Sequence, residues 1–165
     1  MSKREMKKMR KQKGFSLIEL LIVVAIILII AAIAIPNLLR SRIAANEASA
    51  VGSMRSVNTA QVTYASTYPD AGFSPSLSNL GPVASGAQPT SAKAGLLDDV
   101  LGCATNSCKK SGYTFAVSGG GVTYSTNGDP TSPGQSGQRY FFSDASGVIR
   151  YSNTAPATSA DGPLQ

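Results

Sequence analysis

A single carboxylate inside an apolar stretch is the feature that most constrains this chain. Between Phe15 and Ile35 the polar residues are Ser16 and Glu19, and Leu20–Ile35 is uninterrupted apolar sequence. As a helix, the residues from Phe15 to Ile35 span about 30 Å, which is the thickness of the hydrocarbon core of a bilayer. Because a carboxylate at that depth costs roughly 2.5 to 3.5 kcal/mol, we expect Glu19 to have a functional partner.

Positive charge is concentrated before the apolar stretch. The chain has 15 Lys and Arg against 9 Asp and Glu, a formal net charge of +6. Seven of the basic residues and one of the acids, Glu5, precede Phe15, so the rest of the chain carries no net side-chain charge. The positive-inside rule then predicts a cytoplasmic N-terminus and an outward-facing remainder. No dedicated nucleic-acid site is evident, because the basic residues belong to this leader.

An ordinary signal peptide is the alternative interpretation of this N-terminus. Ala32 and Ala34 would supply the small residues of its cleavage site. The apolar stretch, however, is longer than the usual apolar region of about 7 to 15 residues in such peptides. It also continues without a break into the helix-forming segment 37–50, which favours a helix that is retained in the mature protein.

The motif KGFSLIE at residues 13–19, between the basic leader and the apolar run, resembles the processing motif of type IV pilins. The sequence PNLLRSRIAANEASAVGSMRSVNTAQ and the later segments KSGYTFAV and RYFFSDASGVIRY are also similar to major pilins. The resemblance implies that a prepilin peptidase cleaves between Gly14 and Phe15 and methylates the new amine of Phe15. It also implies that Glu19 pairs with this methylated amine on a neighbouring subunit during assembly.

Pro36 directly follows the apolar run. A proline inside a helix removes one backbone hydrogen bond and kinks the axis, although it can equally be a simple membrane-exit residue. The resemblance implies a role in assembly, since pilins commonly carry a proline at this point. Leu28 stands where many relatives have glycine, so we expect this membrane segment to be stiffer than theirs.

The sequence pattern divides the chain into six segments. They are a cleaved basic leader (1–14), a transmembrane and filament-core helix (15–36), an amphipathic helix (37–68), a surface loop with the cysteine pair (69–112), an antiparallel sheet (113–152) and a flexible tail (153–165). Helical spacing predicts that the amphipathic helix buries an apolar face made of Ala44, Ala48, Val51, Met54, Val62 and Ala65. Its charged residues are expected on a solvated face, and these are Arg40, Arg42, Glu47 and Arg55.

Four β-type runs follow the loop, at residues 113–117, 122–125, 140–143 and 148–151. Glycine-rich turns at 119–121 and 144–147 join them into two antiparallel hairpins. A short helical turn is expected at 96–101. The predicted fold is therefore α+β, with a long N-terminal helix packed on a small antiparallel sheet of about four strands.

Composition removes several kinds of chemistry. The chain has no His and 2 Cys, which excludes His-based metal sites and His-dependent catalytic triads. Cys103 and Cys108 are expected to form a small-loop disulfide after export, with free thiols as the alternative. Asp129 and Asp144 are expected to be surface turn residues rather than calcium ligands. We predict no metal, no cofactor and no enzymatic activity.

The resemblance predicts the precursor of a major pilin that polymerises into an extracellular filament for motility, adhesion or DNA uptake. Its partners would be other copies of itself, the prepilin peptidase, the assembly platform, motor ATPases and a secretin. It would lie in the bacterial inner membrane before assembly and on the cell surface afterwards. One alternative is a pseudopilin of a type II secretion system. Another is a single-pass anchored binding protein, which would leave Glu19 unpaired.

Overall fold

The computed structural model of the chain describes residues 14–164. The predicted leader therefore lies outside the described residues, apart from Gly14. The elements in chain order are α1 (Leu17–Thr67), α2 (Leu77–Leu80), β1 (Cys108–Lys110), β2 (Tyr113–Gly120), β3 (Thr123–Pro130), β4 (Tyr140–Asp144) and β5 (Arg150–Ser152). The chain divides into two units, Met1–Leu38 and Leu39–Gln165. A long N-terminal helix followed by an antiparallel sheet confirms the predicted α+β fold class.

Helix α1 ends where the sequence predicts a stop. The backbone N–H of Tyr68 donates to the carbonyl of Tyr64 at 2.8 Å, which closes the last turn before Pro69. Gly72 then adopts a left-handed φ of 65° and donates its N–H to the Tyr68 carbonyl at 3.1 Å. Gly72 lies beyond the helix, and the left-handed conformation that glycine adopts without a steric penalty closes the turn of residues 68–72.

The sheet has five antiparallel strands in the order β1-β2-β3-β4-β5, one more than expected. The additional strand, β1, lies in the segment predicted as surface loop and pairs Cys108 with Phe115 and Lys110 with Tyr113. Strands β2 and β3 are longer than predicted, and their register runs from Tyr113↔Pro130 to Gly120↔Thr123. The expected turn at 119–121 therefore contracts to two residues, because Gly119 and Gly120 belong to β2.

One face of the sheet packs on the part of α1 that follows Leu39. Alternate residues of β2 and β4 are fully buried there, including Phe115 and Phe141, and they share a core with Met54 and Val57 of α1. This alternation of buried and half-exposed side chains is the period of two residues expected for a strand with one face on the core. The helix therefore supplies the cover for an otherwise solvent-facing apolar sheet.

The buried face of α1 agrees with the predicted one at Val51 and Met54 and differs from it elsewhere. Ala44, Ala48 and Val62 are exposed, whereas Glu47 and Gln61 are buried. The apolar spacing was misleading because polar side chains with distant partners occupy part of the core face. The Gln61 amide donates to the Ser74 carbonyl at 3.0 Å, and its oxygen accepts from the Ser74 N–H at 2.8 Å.

The segment predicted as a surface loop, 69–112, packs against the core through several apolar side chains. Leu77 and Leu80 of α2 are fully buried, and Leu97 and Leu101 are also buried. No helix forms at 96–101, where the expected turn is reduced to one backbone hydrogen bond, from the Gly102 N–H to the Asp98 carbonyl at 2.7 Å. A short four-residue helix forms at 77–80 instead because Ser76 caps it, accepting a hydrogen bond from the Asn79 N–H. Proline and glycine content therefore predicted irregular backbone correctly but missed the buried leucines.

Residues 153–164, expected to form a flexible tail, contact the sheet. Leu164 donates its backbone N–H to the Ile149 carbonyl at 2.8 Å, and Tyr151 donates to Gly162 at 3.1 Å. Ala157 is buried and accepts a hydrogen bond from the side chain of Asn127 on β3. The tail lacks a periodic pattern because these contacts are made mainly through its backbone.

Candidate functional site

The predicted cleavage position lies just outside α1. Gly14 and Phe15 have no regular secondary structure, and the helix begins at Leu17. The Phe15 side chain is 73% exposed, and an added Cβ at Gly14 would meet no atom within 4 Å. The bond between these two residues is therefore sterically open on the chain's own side.

Glu19 lies in the first turn of α1, where the partial positive charge of the helix N-terminus favours an acidic side chain. The side chain is exposed. Within residues 14–164 the ion pairs are Lys110–Asp98 and Arg139–Glu47, so no cation in this part of the chain pairs with Glu19. The carboxylate is thus available to a partner from elsewhere.

An exposed apolar surface follows Glu19. We call the stretch from Leu20 to Leu39 the apolar segment; one 18-residue window of α1 has a mean hydropathy of 3.3 with no residue buried. Among the described residues, α1 is the one helix that is long and apolar enough to cross a membrane. Large apolar side chains on a folded protein are normally covered, so this segment requires lipid or protein around it.

Pro36 lies inside α1, and the helix assignment continues through it. Its ring nitrogen has no hydrogen, so it cannot make the backbone hydrogen bond that an α-helix would place at this position. The helix therefore has one backbone hydrogen bond fewer at this position, which is compatible with the assembly role that the resemblance implies for Pro36.

The head, by which we mean residues 40–164, contains a partly buried ion pair that the sequence pattern did not predict. The Nε of Arg139 donates to Oε2 of Glu47 at 2.7 Å, and the side chain of Glu47 is only 9% exposed. The backbone N–H groups of Gln138 and Arg139 both donate to Oε1 of Glu47, at 2.8 and 3.2 Å. The guanidinium also lies over the rings of Phe141 and Tyr151, 5.7 and 5.6 Å from their centres.

Electrostatics keep Glu47 ionised in this environment. Burial by itself raises the pKa of the carboxyl, but the hydrogen bonds from Gln138 and Arg139 outweigh it and hold the pKa below its ordinary value. The sequence offered one signal for this pair: a lone acid between apolar helix positions. Its partner is 92 residues away, so local pattern could not identify it.

The cysteines and the carboxylates considered as ligands lie in the head. Cys103 and Cys108 form a disulfide bond. Asp144 is a turn residue as expected and accepts from the Ser146 N–H at 2.9 Å. The expectation is wrong for Asp129, which lies half-buried in β3 opposite Thr114, where burial raises the pKa of its carboxyl. Residues 14–164 contain no group of three or more His, Cys, Asp or Glu placed to hold a metal ion.

Comparison with known proteins places the motif in a family. Residues 9–35 match the family model of the prokaryotic N-terminal methylation motif. The chain is 67% identical over 39 residues to the type IV wide pilus major component PilA4 of Thermus thermophilus, and 44% over 54 residues to the type IV major pilin protein PilA of Myxococcus xanthus. It is also 42% identical over 59 residues to the type II secretion system core protein G of Vibrio cholerae.

These matches are partial. They cover 24%, 33% and 36% of this chain, and the chain spans 30%, 24% and 40% of the three relatives. No solved structure matches the chain significantly. The predicted resemblance to the type IV pilin family is confirmed by the methylation motif together with these relatives.

Proposed function

We propose that this chain belongs to the type IV pilin and pseudopilin family and is the precursor of a major pilin. It enters the inner membrane through residues 15–36, is cleaved between Gly14 and Phe15, and is methylated on the Phe15 amine. The observation that carries the proposal is the exposed apolar segment that begins after Glu19, a carboxylate with no ion-pair partner among residues 14–164. A segment of this kind is covered by lipid before assembly and by other copies of the same segment afterwards.

Cleavage creates the partner that Glu19 lacks. Removal of the leader leaves a positively charged amine on Phe15, four residues before Glu19. In a filament this amine pairs with Glu19 of a neighbouring copy. Because opposite charges attract strongly in a low dielectric and an unpaired charge there is costly, a misplaced subunit is rejected and the pair sets the register of assembly.

The chain needs machinery to reach the surface. The partners we propose are a prepilin peptidase, an assembly platform, motor ATPases that supply the work and an outer-membrane secretin. The outputs are those of surface filaments, namely motility, adhesion or DNA uptake. The names of two relatives, a pilus major component and a major pilin, support the filament assignment.

A second candidate function is that of a type II secretion pseudopilin, which is a shorter periplasmic piston. The match to a type II secretion core protein favours it. A major pilin forms abundant filaments that can be sheared from cells. A pseudopilin stays with the cell envelope, which separates the two functions by location.

Mass spectrometry of the N-terminal peptide in material sheared from the surface of cells that express this protein tests the proposal. We expect a peptide that begins at methylated Phe15. The same methylated peptide in membranes, with none in the sheared fraction, would favour the pseudopilin. An uncleaved leader in the membranes would overturn both and leave an anchored monomer.

The role of Glu19 is tested by Glu19→Ala. We expect the variant to remain in the membrane at wild-type levels while sheared filaments fall by at least tenfold, because the buried amine loses its partner. Ser16→Ala is the matched control: it removes a polar side chain from the same end of the helix without changing charge, and it should leave filaments intact. Normal piliation in Glu19→Ala would contradict the assembly role.

A further inference from the structure

A polar pocket of about 280 Å³ lies in the head where α1 meets two loops. One loop is the turn between β1 and β2, and the other joins β3 to β4. We call it the Arg42 pocket; its lining includes Arg42 and Asn46 of α1 together with Ser111, Ser132, Gln135 and Ser136 of the loops. Nearly every one of these side chains can donate a hydrogen bond.

Contacts between the walls hold the pocket open in a fixed shape. The Asn46 amide donates to the Ser136 carbonyl at 2.8 Å, and Ser49 donates to the Ser111 hydroxyl at 2.9 Å. Gly112 allows the close approach, since a Cβ there would lie 2.9 Å from that of Ser136 in a backbone with φ of 74°. The pocket is therefore preformed rather than assembled by a ligand.

The pocket carries one uncompensated positive charge. Arg42 is its one charged lining residue and is exposed, and the two ion pairs within residues 14–164 involve other cations. The nearest acid in sequence, Glu47, is already bound by Arg139. A guanidinium beside hydroxyl and amide donors, without an opposing acid, is suited to a phosphate monoanion.

The position of the pocket along the chain identifies the source of that phosphate. Arg42 follows Pro36, the last residue of the proposed membrane segment, by six positions, which is about 9 Å along a helix and lets the long side chain reach back toward the headgroups. When the apolar segment spans a bilayer, Arg42 lies at the level of the lipid headgroups. This step rests on the membrane insertion contained in the proposed function.

We propose that the Arg42 pocket binds the phosphate of an anionic phospholipid at the outer surface of the inner membrane, before the subunit is assembled. Arg42 pairs with the phosphate, and the hydroxyl groups of Ser111 and Ser132 serve its remaining oxygens or the polar headgroup. The contact fixes the depth at which the unassembled subunit lies in the membrane.

Native mass spectrometry of the full chain in detergent tests this inference. The probes are dioctanoyl-phosphatidylglycerol, dioctanoyl-phosphatidylcholine and inorganic phosphate. We expect the anionic lipid to bind most tightly and Arg42→Gln to weaken it by about tenfold, the effect of losing a charge-assisted hydrogen bond to the phosphate, and Arg40→Gln to weaken it clearly less. Arg40→Gln is the matched control, because it removes the same charge two residues away, from a residue that does not line the pocket.

Three results would overturn the inference. Equal weakening by Arg40→Gln and Arg42→Gln would mean diffuse attraction to charge, without a pocket. Equal binding of the phosphatidylcholine would remove the preference for an anionic lipid. Arg42-dependent binding of inorganic phosphate as tight as that of the lipid would identify a free phosphate ion as the ligand. Lipid binding is measured on the unassembled chain. The finding of filaments that begin at methylated Phe15, which tests the proposed function, is therefore independent of all three results.

Discussion

The two units of the chain bury apolar surface in opposite ways. In the head, Met54, Phe115 and Phe141 are 0% exposed and are covered by the chain itself. In the apolar segment, large side chains remain uncovered, from 45% for Val23 to 70% for Leu38. Burial of apolar area contributes about 25 cal/mol per Å². The head therefore carries its own stabilisation, whereas the exposed side chains of the apolar segment are left uncovered by the described chain; in the proposed function lipid or other copies cover them.

Two glutamates show the same contrast in charge. Glu47 is buried in the head and its partner, Arg139, is on the same chain. Glu19 is exposed, and none of residues 14–164 supplies it with a cation. The same residue type thus serves internal stability in one unit and is left open for an external partner in the other.

The largest expected effect separates the two units by stability. Phe141→Ala empties a fully buried position in the head and should lower the free energy of unfolding by about 3 to 5 kcal/mol. Leu28→Ala removes a side chain that is 63% exposed in the apolar segment, and it should leave the unfolding of the head unchanged. Denaturant unfolding of both variants in detergent, followed by near-ultraviolet circular dichroism, measures the difference.

Membrane fractionation of the same variants completes this test. We expect Phe141→Ala to remain in the membrane fraction, since its apolar segment is intact. If Leu28→Ala destabilised the head as much as Phe141→Ala, the two units would share one cooperative transition and the contrast between them would be wrong.

The next effect concerns the two glutamates. Glu47→Gln removes the charge that accepts hydrogen bonds from Arg139 and Gln138, and it should destabilise the head by about 2 kcal/mol. Glu19→Gln is the matched control, because it makes the same chemical change at an exposed position and should leave head stability unchanged. Equal effects of the two substitutions would contradict the assignment of separate roles.

Low pH should weaken the interaction between Glu47 and Arg139. The pKa of Glu47 is lowered in the folded head from an ordinary value of 4.5, so its contribution to stability is complete above pH 4.5 and is lost as the pH falls through the folded pKa. Melting temperature measured against pH should therefore drop below pH 4.5 in the parent protein. The drop should be shallower in Glu47→Gln, where the remaining slope comes from Asp98 and Asp144, whose pKa values are also lowered.

Local pattern predicted those elements whose signals lie within a few neighbouring residues. The end of the amphipathic helix at residue 68 and the β-type run at 113–117 are such signals, and both elements are present. Strand β1 was not predicted because it has only three residues, two of them lysine. The Ser111-Gly112 pair that follows it is nevertheless a typical two-residue hairpin turn. The sequence pattern alone could not predict which residues of β1 pair with which residues of β2.

The buried polar residues could not be predicted from the sequence alone. Glu47 and Gln61 occupy helix positions that look solvated, and their burial depends on partners brought near by the folded chain, Arg139 and Ser74. For the candidate site the situation is reversed. Gly14, Phe15 and Glu19 lie within five positions of one another in a single motif, so the sequence alone could identify them. Their roles remain predictions for the experiments above.

The last prediction concerns the Cys103–Cys108 loop of the head, which is held by hydrogen bonds to its neighbours. The side chain of Asn106 in this loop accepts from the Leu77 N–H at 3.0 Å and donates to the Val117 carbonyl, so the loop joins α2 to the edge of β2 beyond the end of β1. Replacing both cysteines by serine should lower the free energy of unfolding by about 2 kcal/mol, the value for so short a loop, since the loop is then free to leave Asn106 unbound. Asn106→Ala with the disulfide intact should cost about 1 kcal/mol, and hydrogen exchange at the Leu77 and Val117 amides should rise in both variants. Unchanged exchange at these amides in the cysteine variant would show that the loop keeps its position without the bond, and that only the unfolded chain is affected.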